Sequence, residues 1–317
     1  MLSRVADSIY WMNRYIERVD NYARFLDVNF NLSLDMPDEI STQWGPLVVT
    51  TGDWHLYEEM YKNTLKSDVI HFLAFNENNQ NSIYSCILNA RENAKAVRPE
   101  ITREVWEQIN ALYYLAKEGQ KKKLWLNKDP RAYFDEIKNG CQLYYGIVDT
   151  TISRNEAWHF AKIGQLLERA DKTSRIIDVK YHILLPSVKE IGTPIDLIHW
   201  SALLKSVSAY DMYRKKYGKL NPFHIMEFLI LDKNFPRSIH SCLIQTEKSL
   251  HTISGNNGSY TNEAEKKLGR LRSKLEYQDI NEISQEGIHE YLDTFQNSLN
   301  EVASEIYDTF FNYSNPE

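Results

Sequence analysis

The sequence is poor in the residues that break helices. Its 317 residues include only 12 glycines and 9 prolines, together roughly 7% of the chain against a typical ~12%. Few breakers in a long chain favour helices and argue against a fold built on many tight turns. No apolar run is long enough for a signal peptide or a membrane-spanning helix, so we expect no membrane association.

Cysteine is also scarce, and positive charge is not in excess. Cys86, Cys141 and Cys242 are far apart and odd in number, which predicts reduced thiols in a cytoplasmic protein. The formal net charge of −6 gives no basic footprint for nucleic acid. No serine-hydrolase elbow, zinc-peptidase, phosphate-loop or dinucleotide-binding motif is present, so the sequence indicates no reaction and no cofactor.

What the sequence does contain is helical periodicity. From Val5 to Leu26, apolar residues recur every three or four positions and form one stripe of a helix. Prolines and glycines then separate about eleven predicted helices, including one from Pro194 to about Tyr217 and one from Ser284 to Asn312. The segment Leu47-Val48-Val49 suggests a short extended piece. We therefore expect an all-α, multi-helix bundle.

The second half of the chain repeats the first. Three blocks recur in the same order, at offsets of 151, 152 and 156 residues. The matching blocks are Tyr15–Val28 with Leu166–Val179, Glu59–Lys62 with Asp211–Arg214, and Phe72–Ile87 with Phe228–Leu243. This regularity predicts a single domain, 1–317, built from pseudo-repeats at about 1–153 and 154–317 that pack about a pseudo-two-fold axis.

Each repeat carries one Glu-Arg pair, Glu17-Arg18 in the first and Glu168-Arg169 in the second. Adjacent helix residues point about 100° apart and cannot pair with each other. We expect reciprocal ion pairs instead, with Glu17 meeting Arg169 and Glu168 meeting Arg18 across the axis. A structural salt-bridge network is the favoured interpretation. A ligand-binding or catalytic site and a simple surface role stay open.

Arginines near the repeat blocks also indicate an anion site. Arg237 lies at a predicted helix N-terminus, where free N–H groups favour a phosphate or a carboxylate. The simpler interpretation is that Ser238 caps the helix and Arg237 pairs with a carboxylate. The candidate binding cluster comprises Arg14, Glu17, Arg18, Asn21, Arg24, Arg154, Glu168, Arg169, Arg175, Arg214 and Arg237.

Two Glu-x-x-His segments match a spacing used by helix-bundle di-iron proteins, in which the two residues share a helix face. They are Glu156–His159 and Glu286–His289. Such pairs also arise by chance in a chain of this composition. A di-metal centre is therefore the least favoured alternative, and we assign no metal ligand.

Several of these segments resemble the Alpha-E family, a predicted all-helical bacterial domain with a Glu-Arg motif. The resemblance rests on Ser3–Trp11, the two Glu-Arg pairs and Ser153–Trp158, and it runs through nearly the whole chain. Gln165 departs from the pattern, which leads us to expect arginine there. Members of the family accompany, or are fused to, ATP-grasp-type ligases, transglutaminase-like peptidases and proteasome-like hydrolases.

The resemblance implies a role in a bacterial peptide or protein modification system, and with no catalytic motif in the sequence we expect a non-catalytic or accessory component. Such a component would bind a peptide, an anionic small molecule, an ATP-grasp-type ligase or a transglutaminase-like protein at the repeat interface. The alternative is an enzyme of that pathway that uses Glu17, Glu168 and the arginines on an anionic substrate. Mutually paired, sealed charges favour the first interpretation, whereas open arginines and a glutamate with a raised pKa favour the second.

Overall fold

The computed structural model describes residues 1–35, 44–127, 129–183, 193–255 and 260–312. These residues form fifteen α-helices and no strand, which confirms the all-α class. In chain order the helices are α1 Ser3–Asp35, α2 Gly45–Thr51, α3 Trp54–Met60, α4 Lys66–Ile70, α5 Ile83–Ala96, α6 Arg103–Lys121, α7 Arg131–Thr151, α8 Glu156–Ile183, α9 Pro194–Ser206, α10 Tyr210–Tyr217, α11 Pro222–Ile230, α12 Ile239–Ile253, α13 Glu263–Tyr277, α14 Ile280–Glu286 and α15 Ile288–Ile306. The π-helical turns His71–Phe75 and Tyr307–Phe311 extend α4 and α15.

The helices differ from the sequence expectation in three places. Leu47–Val49 lies within α2 and is not extended, because proline at the start of this helix fixes a helical φ angle. Ser208, with a φ of +53°, divides the helix predicted from Pro194 into α9 and α10. Gly287, with a φ of +100°, separates α14 from α15. These breaks raise the number of helices in the described ranges above the predicted eleven or so.

Two long helices, α1 and α8, pack side by side in the same direction through the core, with Tyr10 beside Gly164 and Glu17 beside Arg169. We call the region of their closest approach the helix crossing. Helices α5 and α7 pack against α1, while α12 and α15 pack against α8. Two shorter helices each pack on the long helix of the other half: α2 of the first half packs on α8, and α9 of the second half packs on α1. At the crossing the backbones are so close that a Cβ on Gly164 would collide with the carbonyl oxygen of Tyr10. The two halves therefore share one core, of which α1 and α8 form the middle.

Similar tyrosine contacts occur in the two halves. The hydroxyl of Tyr57 donates to the carbonyl of Asn63 at 2.7 Å, and that of Tyr213 donates to the carbonyl of Lys219 at 3.1 Å. These contacts match Tyr57 with Tyr213, at an offset of 156 residues. The matching sequence blocks instead place Tyr61 opposite Tyr213, at an offset of 152. The difference is four residues, about one helical turn, and such a shift preserves the apolar periodicity on which sequence alignment depends.

Two ion pairs also occupy matching positions. Lys138 of α7 contacts Asp27 of α1 at 2.6 Å, and His289 of α15 contacts Asp178 of α8 at 2.7 Å. In both pairs the partners are 111 residues apart in sequence. No repeat block included Lys138 or His289, so only the structure brings this correspondence to light.

The cysteines lie in the packed interior. Ser82 and Ser238 cap α5 and α12 by accepting a hydrogen bond from the backbone N–H three residues later. Cys86 and Cys242 lie one turn further on, and burial raises the pKa of both thiols to about 12. Cys141 is buried as well, and all three cysteines are free. Thiols protonated at neutral pH are poor nucleophiles, so these residues serve packing.

Across the described parts of the chain, no helix combines the length and the apolar character that crossing a membrane requires.

Candidate functional site

The charged residues of the two Glu-Arg motifs meet at the crossing of α1 and α8. We divide them into two groups, each named after its glutamate. The Glu168 group comprises Arg14, Arg18, Glu168, Asp171, Lys172 and Arg175. The Glu17 group comprises Glu17, Asp20, Asn21, Arg24, Gln165, Arg169 and Arg237.

In the Glu168 group, a fully buried carboxylate is surrounded by three cations. Arg18 of α1 contacts both oxygens, with Nε 2.6 Å from Oε1 and Nη2 3.0 Å from Oε2. Arg14 donates from Nε to Oε2 at 2.9 Å, and Lys172 lies 3.5 Å from Oε1. Burial favours the neutral acid, but the three cations outweigh it and hold the pKa of Glu168 well below its usual range.

In the Glu17 group, the buried carboxylate is bound by two arginines. Arg169 of α8 forms a bidentate pair with Glu17 at 2.8 and 2.7 Å, and Arg237 adds a contact of 3.2 Å. Burial raises the pKa of Glu17, but Arg169 and Arg237 overcome this and lower it to about 2. Both predicted reciprocal ion pairs, Glu17 with Arg169 and Glu168 with Arg18, are thus confirmed.

Two aspartates, Asp20 and Asp171, complete the groups and are not members of the predicted binding cluster. Asp20 accepts from Arg24 at 2.9 Å and from Arg237 at 2.5 Å. Asp171 accepts from Arg175 at 3.0 Å and lies 3.0 Å from Lys172. A signal was present in the sequence, since the two aspartates occupy matching positions of the sequence blocks and each precedes an arginine by four residues, the spacing of a helical ion pair.

Amide side chains occupy some positions where the other half has a charge. Asn21 and Gln165 donate to Glu17 at 3.1 and 3.5 Å, whereas the residues at matching positions, Lys172 and Arg14, bring positive charge to Glu168. The departure noted at Gln165 therefore replaces an ion pair by a hydrogen bond.

A similar exchange relates Asn81 to Arg237, which lies 156 residues later. Asn81 accepts from Arg18 at 2.5 Å and donates to Asp53 at 2.8 Å. Arg237 instead contacts Glu17 and Asp20 directly. Since Ser238 caps α12 and Arg237 is paired with carboxylates, the simpler of the two interpretations of this helix start is confirmed.

Two predicted members lie outside both groups. Arg154 is exposed, and its guanidinium stacks on the ring of Trp158 at 4.5 Å. Arg214 is exposed on α10. The expectation that they join the cluster is wrong, because proximity to a repeat block in sequence does not direct a side chain toward the helix crossing.

The two Glu-x-x-His segments do not converge. Glu156 contacts the N-terminal ammonium of Met1 at 2.6 Å, and His289 contacts Asp178. Gly287 interrupts the helix between Glu286 and His289, so these two residues do not share a helix face as the spacing suggested. Within the described ranges, no group of three or more His, Cys, Asp or Glu side chains could hold a metal ion.

This arrangement is suited to holding helices together. Glu17 and Glu168 are both completely buried, ionised and bound to cations from the opposite helix. A general acid or base works best with a pKa near the operating pH, and both glutamates are shifted in the opposite direction.

Fold and site together define an all-helical protein whose two longest helices are joined by a buried, reciprocal Glu-Arg network. Residues 1–311 match the Alpha-E family, described as a predicted alpha-helical domain with a conserved ER motif. The chain belongs to this family. Its sequence contains two such Glu-Arg steps, at Glu17 and Glu168.

Similar curated proteins include uncharacterised proteins of Mycobacterium bovis and of two Mycobacterium tuberculosis strains. Each is 19% identical to this chain over 330 residues. The match covers 96% of this chain and 36% of each relative. The chain therefore spans about a third of the length of these relatives. No solved structure gives a significant match.

Proposed function

We propose that this protein is a non-catalytic or accessory component of a bacterial peptide or protein modification system. It binds a peptide, an anionic ligand or a partner enzyme at the interface of its two halves. The partner enzyme is an ATP-grasp-type ligase or a transglutaminase-like protein, as the family resemblance implies. A cytoplasmic location fits the three free, buried cysteines.

The observation that carries this proposal is the state of the two glutamates. Each is fully buried, has a lowered pKa and is saturated by cations. An enzyme that used Glu17 or Glu168 for proton transfer would need a carboxyl group that reaches its substrate and titrates near neutral pH. The paired charges instead favour a rigid platform.

We further propose that the two halves are duplicated units related by a pseudo-two-fold axis near the helix crossing. The matched ion pairs of Asp27 and Asp178 support this arrangement, as do the reciprocal Glu-Arg contacts. Superposition of α1, α5 and α7 on α8, α12 and α15 in an experimental structure tests the idea. Failure of these six helices to superpose in pairs would overturn it.

The test of partner binding uses the purified full chain and a purified ATP-grasp-type ligase from the same organism. We expect co-elution in size-exclusion chromatography and a Kd of about 1 μM or tighter by calorimetry. A transglutaminase-like protein of the same organism forms a second arm, and an unrelated ATP-grasp enzyme is the negative control. Absence of a complex with both candidate partners would contradict the accessory role.

The enzyme alternative makes a different prediction. If Glu17 or Glu168 performed acid–base chemistry, Glu17→Gln and Glu168→Gln would abolish turnover at a temperature where both variants remain folded. The accessory role predicts that these substitutions lower thermal stability, while partner binding persists as long as the protein is folded. Circular dichroism and calorimetry on the same samples separate the two outcomes.

A further inference from the structure

The two matching arginines Arg24 and Arg175 have different neighbours. Arg24 donates from Nη1 to the hydroxyl of Ser208 at 2.6 Å, and Ser208 has a φ of +53°. The matching residue, 156 positions earlier, is Gly52, with a φ of +82°. Nη1 of Arg175 lies 3.2 Å from the point where a Cβ on Gly52 would be. The side chain that satisfies Arg24 in the Glu17 group is therefore missing beside Arg175 in the Glu168 group.

Arg175 is the most open cation of the two groups. Its Nε donates to both oxygens of Asp171 at 3.0 Å. Among the residues that the structure describes, its Nη1 and Nη2 have no hydrogen-bond partner. Its side chain is 24% exposed, whereas those of the other six cations are 6 to 14% exposed. The free N–H groups of this guanidinium can therefore donate to a ligand from solvent without breaking an existing ion pair.

Two unsatisfied polar groups belong to residues within electrostatic range of this site: Tyr22 interacts with Arg175, and Asp53 interacts with Tyr22. Tyr22 is only 1% exposed, and its buried hydroxyl has no hydrogen-bond partner among the described residues. Oδ2 of Asp53, the residue after Gly52, is also buried and unpartnered, while Oδ1 accepts from Asn81 at 2.8 Å. Burial and the nearby Asp53 carboxylate raise the pKa of Tyr22 well above its usual range, so its hydroxyl remains able to donate.

The matching positions in the second half are closed. Thr173, which corresponds to Tyr22, donates its hydroxyl to the carbonyl of Arg237 at 3.0 Å. Ala209, which corresponds to Asp53, has no polar side chain. Three differences at matching positions thus occur together, and each leaves a polar group available beside the Glu168 group only.

The available groups specify the chemistry of a ligand. A guanidinium with free N–H groups and a donating hydroxyl fit a carboxylate. An unpartnered carboxylate oxygen accepts a hydrogen bond from an N–H group. Inorganic phosphate fits poorly, because it brings no N–H group for Asp53 and its higher charge is repelled by Asp53 and Asp171 more strongly than that of a carboxylate.

We propose that Arg175, Tyr22 and Asp53 bind the carboxyl-terminal end of a peptide. Arg175 and Tyr22 hold the carboxylate, and Asp53 accepts from the adjoining amide N–H. Gly52 is exposed and places no side chain over Nη1 of Arg175. The inference rests on the proposed function and specifies which ligand is bound and where. A free amino acid also has a carboxylate and an N–H group, so it shares this chemistry.

The test compares two nearly isosteric small molecules on the full chain. N-acetylglycine has a carboxylate and an amide N–H, whereas levulinate has a CH2 group in place of that N–H. Backbone NMR titration gives the affinity and the location of binding. We expect N-acetylglycine to bind about tenfold more tightly than levulinate, with the largest shifts at Gly52 and Asp53. Glycine forms a third arm, and glycine binding more tightly than N-acetylglycine indicates an amino acid as the source of this chemistry.

Matched variants at Gly52 and Ser208 test the site itself. Gly52→Ser copies the other half, where serine tolerates a positive φ, and gives Arg175 a hydroxyl partner. We expect it to weaken N-acetylglycine binding at least tenfold. Ser208→Gly is the control. It removes the hydroxyl partner of Arg24, but the matching residue to Asp53 is Ala209, which supplies no acceptor. No second site should form, so the affinity and stoichiometry of N-acetylglycine binding should stay unchanged.

Asp53→Asn tests the acceptor. Asn81 donates toward Oδ1, so the amide oxygen of the variant stays there and an NH2 group replaces Oδ2. We expect the preference for N-acetylglycine over levulinate to disappear.

Three outcomes would overturn the inference. They are equal affinities for N-acetylglycine and levulinate in the unmodified protein, binding unaffected by Gly52→Ser, and tighter binding of inorganic phosphate than of N-acetylglycine. If any of these outcomes is observed while the ligase complex still forms, the peptide site is overturned and the partner proposal stands. Normal N-acetylglycine binding without any ligase complex removes the partner proposal and leaves this one standing.

Discussion

Glu17 and Glu168 occupy matching positions on α1 and α8 but have different neighbours. Glu168 is bound by Arg14, Arg18 and Lys172, so three positive charges surround one carboxylate. Glu17 has two arginine partners, and two amides provide its remaining contacts. A buried carboxylate needs both charge compensation and saturated hydrogen bonds. The comparison shows that one motif can meet these needs with different residues.

The source of the cations differs as well. Arg14 and Arg18 of α1 and Lys172 of α8 supply the Glu168 group. The Glu17 group draws its extra cation, Arg237, from the start of α12. The position matching Arg237 is Asn81, at the start of α5, which relays the contact from Arg18 to Asp53. The outer arginine of the Glu17 group, Arg24, has two hydrogen-bond partners, whereas that of the Glu168 group, Arg175, keeps N–H groups that are unpaired among the described residues.

The largest expected effect comes from removing one carboxylate at a time. Glu168→Gln leaves three buried cations without their shared partner and should lower the free energy of unfolding by about 3–5 kcal/mol. Glu17→Gln should cost less, about 2–3 kcal/mol, because Arg237 retains Asp20 and the remaining amides adapt. Urea unfolding measures both. Equal losses would show that the number of cations does not set the cost.

The helix crossing gives the second prediction. A methyl group at Gly164 would meet the backbone carbonyl of Tyr10, which cannot rotate away, so Gly164→Ala should cost about 2–3 kcal/mol. The matching residue in the first half, Asn13, carries a side chain, which donates to the carbonyl of Ile9 and accepts from Tyr144. The close backbone approach therefore occurs at Gly164 and not at the matching residue Asn13.

Gly146→Ala is the control for Gly164→Ala. Gly146 lies within α7, and a methyl group added there would have no neighbouring atom within 4 Å. Alanine should therefore stabilise this helix by about 0.5–1 kcal/mol. Thermal unfolding of the two variants checks the contrast, and similar losses in both would contradict the close backbone approach.

Acid titration separates the two glutamates. Their pKa values are lowered by folding, so the stability they contribute is present above the unfolded value of 4.5 and is lost as the pH falls. For Glu17 the loss extends from about pH 4.5 to about pH 2, and the contribution of Glu168 is lost in the same direction. In this window, Glu17→Gln should reduce the slope of unfolding free energy against pH by about 1 kcal/mol per unit. An unchanged slope would mean that Glu17 is not ionised in the folded protein.

The matched pairs at Asp27 and Asp178 give the smallest effect. The pKa of His289 is raised mainly by its hydrogen bond to Asp178, so the pair stabilises the fold at low pH and loses its effect as the pH rises above the folded pKa. Asp178→Asn should cost a few tenths of a kcal/mol at pH 6 and almost nothing at pH 9. Asp27→Asn should cost the same at both values, since Lys138 stays charged. Parallel urea titrations at the two pH values decide this.

Much of the fold could be predicted from local pattern. The apolar stripe of α1 is buried as expected, with Ile16 and Val19 fully inaccessible. The breaks at Ser208 and Gly287 could not be located, because one residue with a positive φ interrupts a helix without changing the periodicity around it. The extended segment expected at Leu47–Val49 failed for the opposite reason: a short β-branched run suggested a strand, but Pro46 starts a helix.

The site was predictable as far as helix geometry reaches. Adjacent residues diverge on a helix, so Glu17 and Arg18 had to find partners elsewhere, and the repeat identified Arg169 and Glu168 as those partners. Arg154 and Arg214 could not be excluded in this way, because their distance from the crossing depends on how α8 and α10 are placed.

The sequence by itself determined the helical class, the family and the reciprocal Glu-Arg contacts. These follow from a period of 3.6 residues and from two copies of one motif, both of which are local properties of the chain. Only the tertiary structure decided that Arg237 and Asn81 play different parts and that Arg175, Tyr22 and Asp53 remain unsatisfied together. The physical reason is that the partner of a buried charge is set by which helices pack side by side, and that packing depends on the whole core.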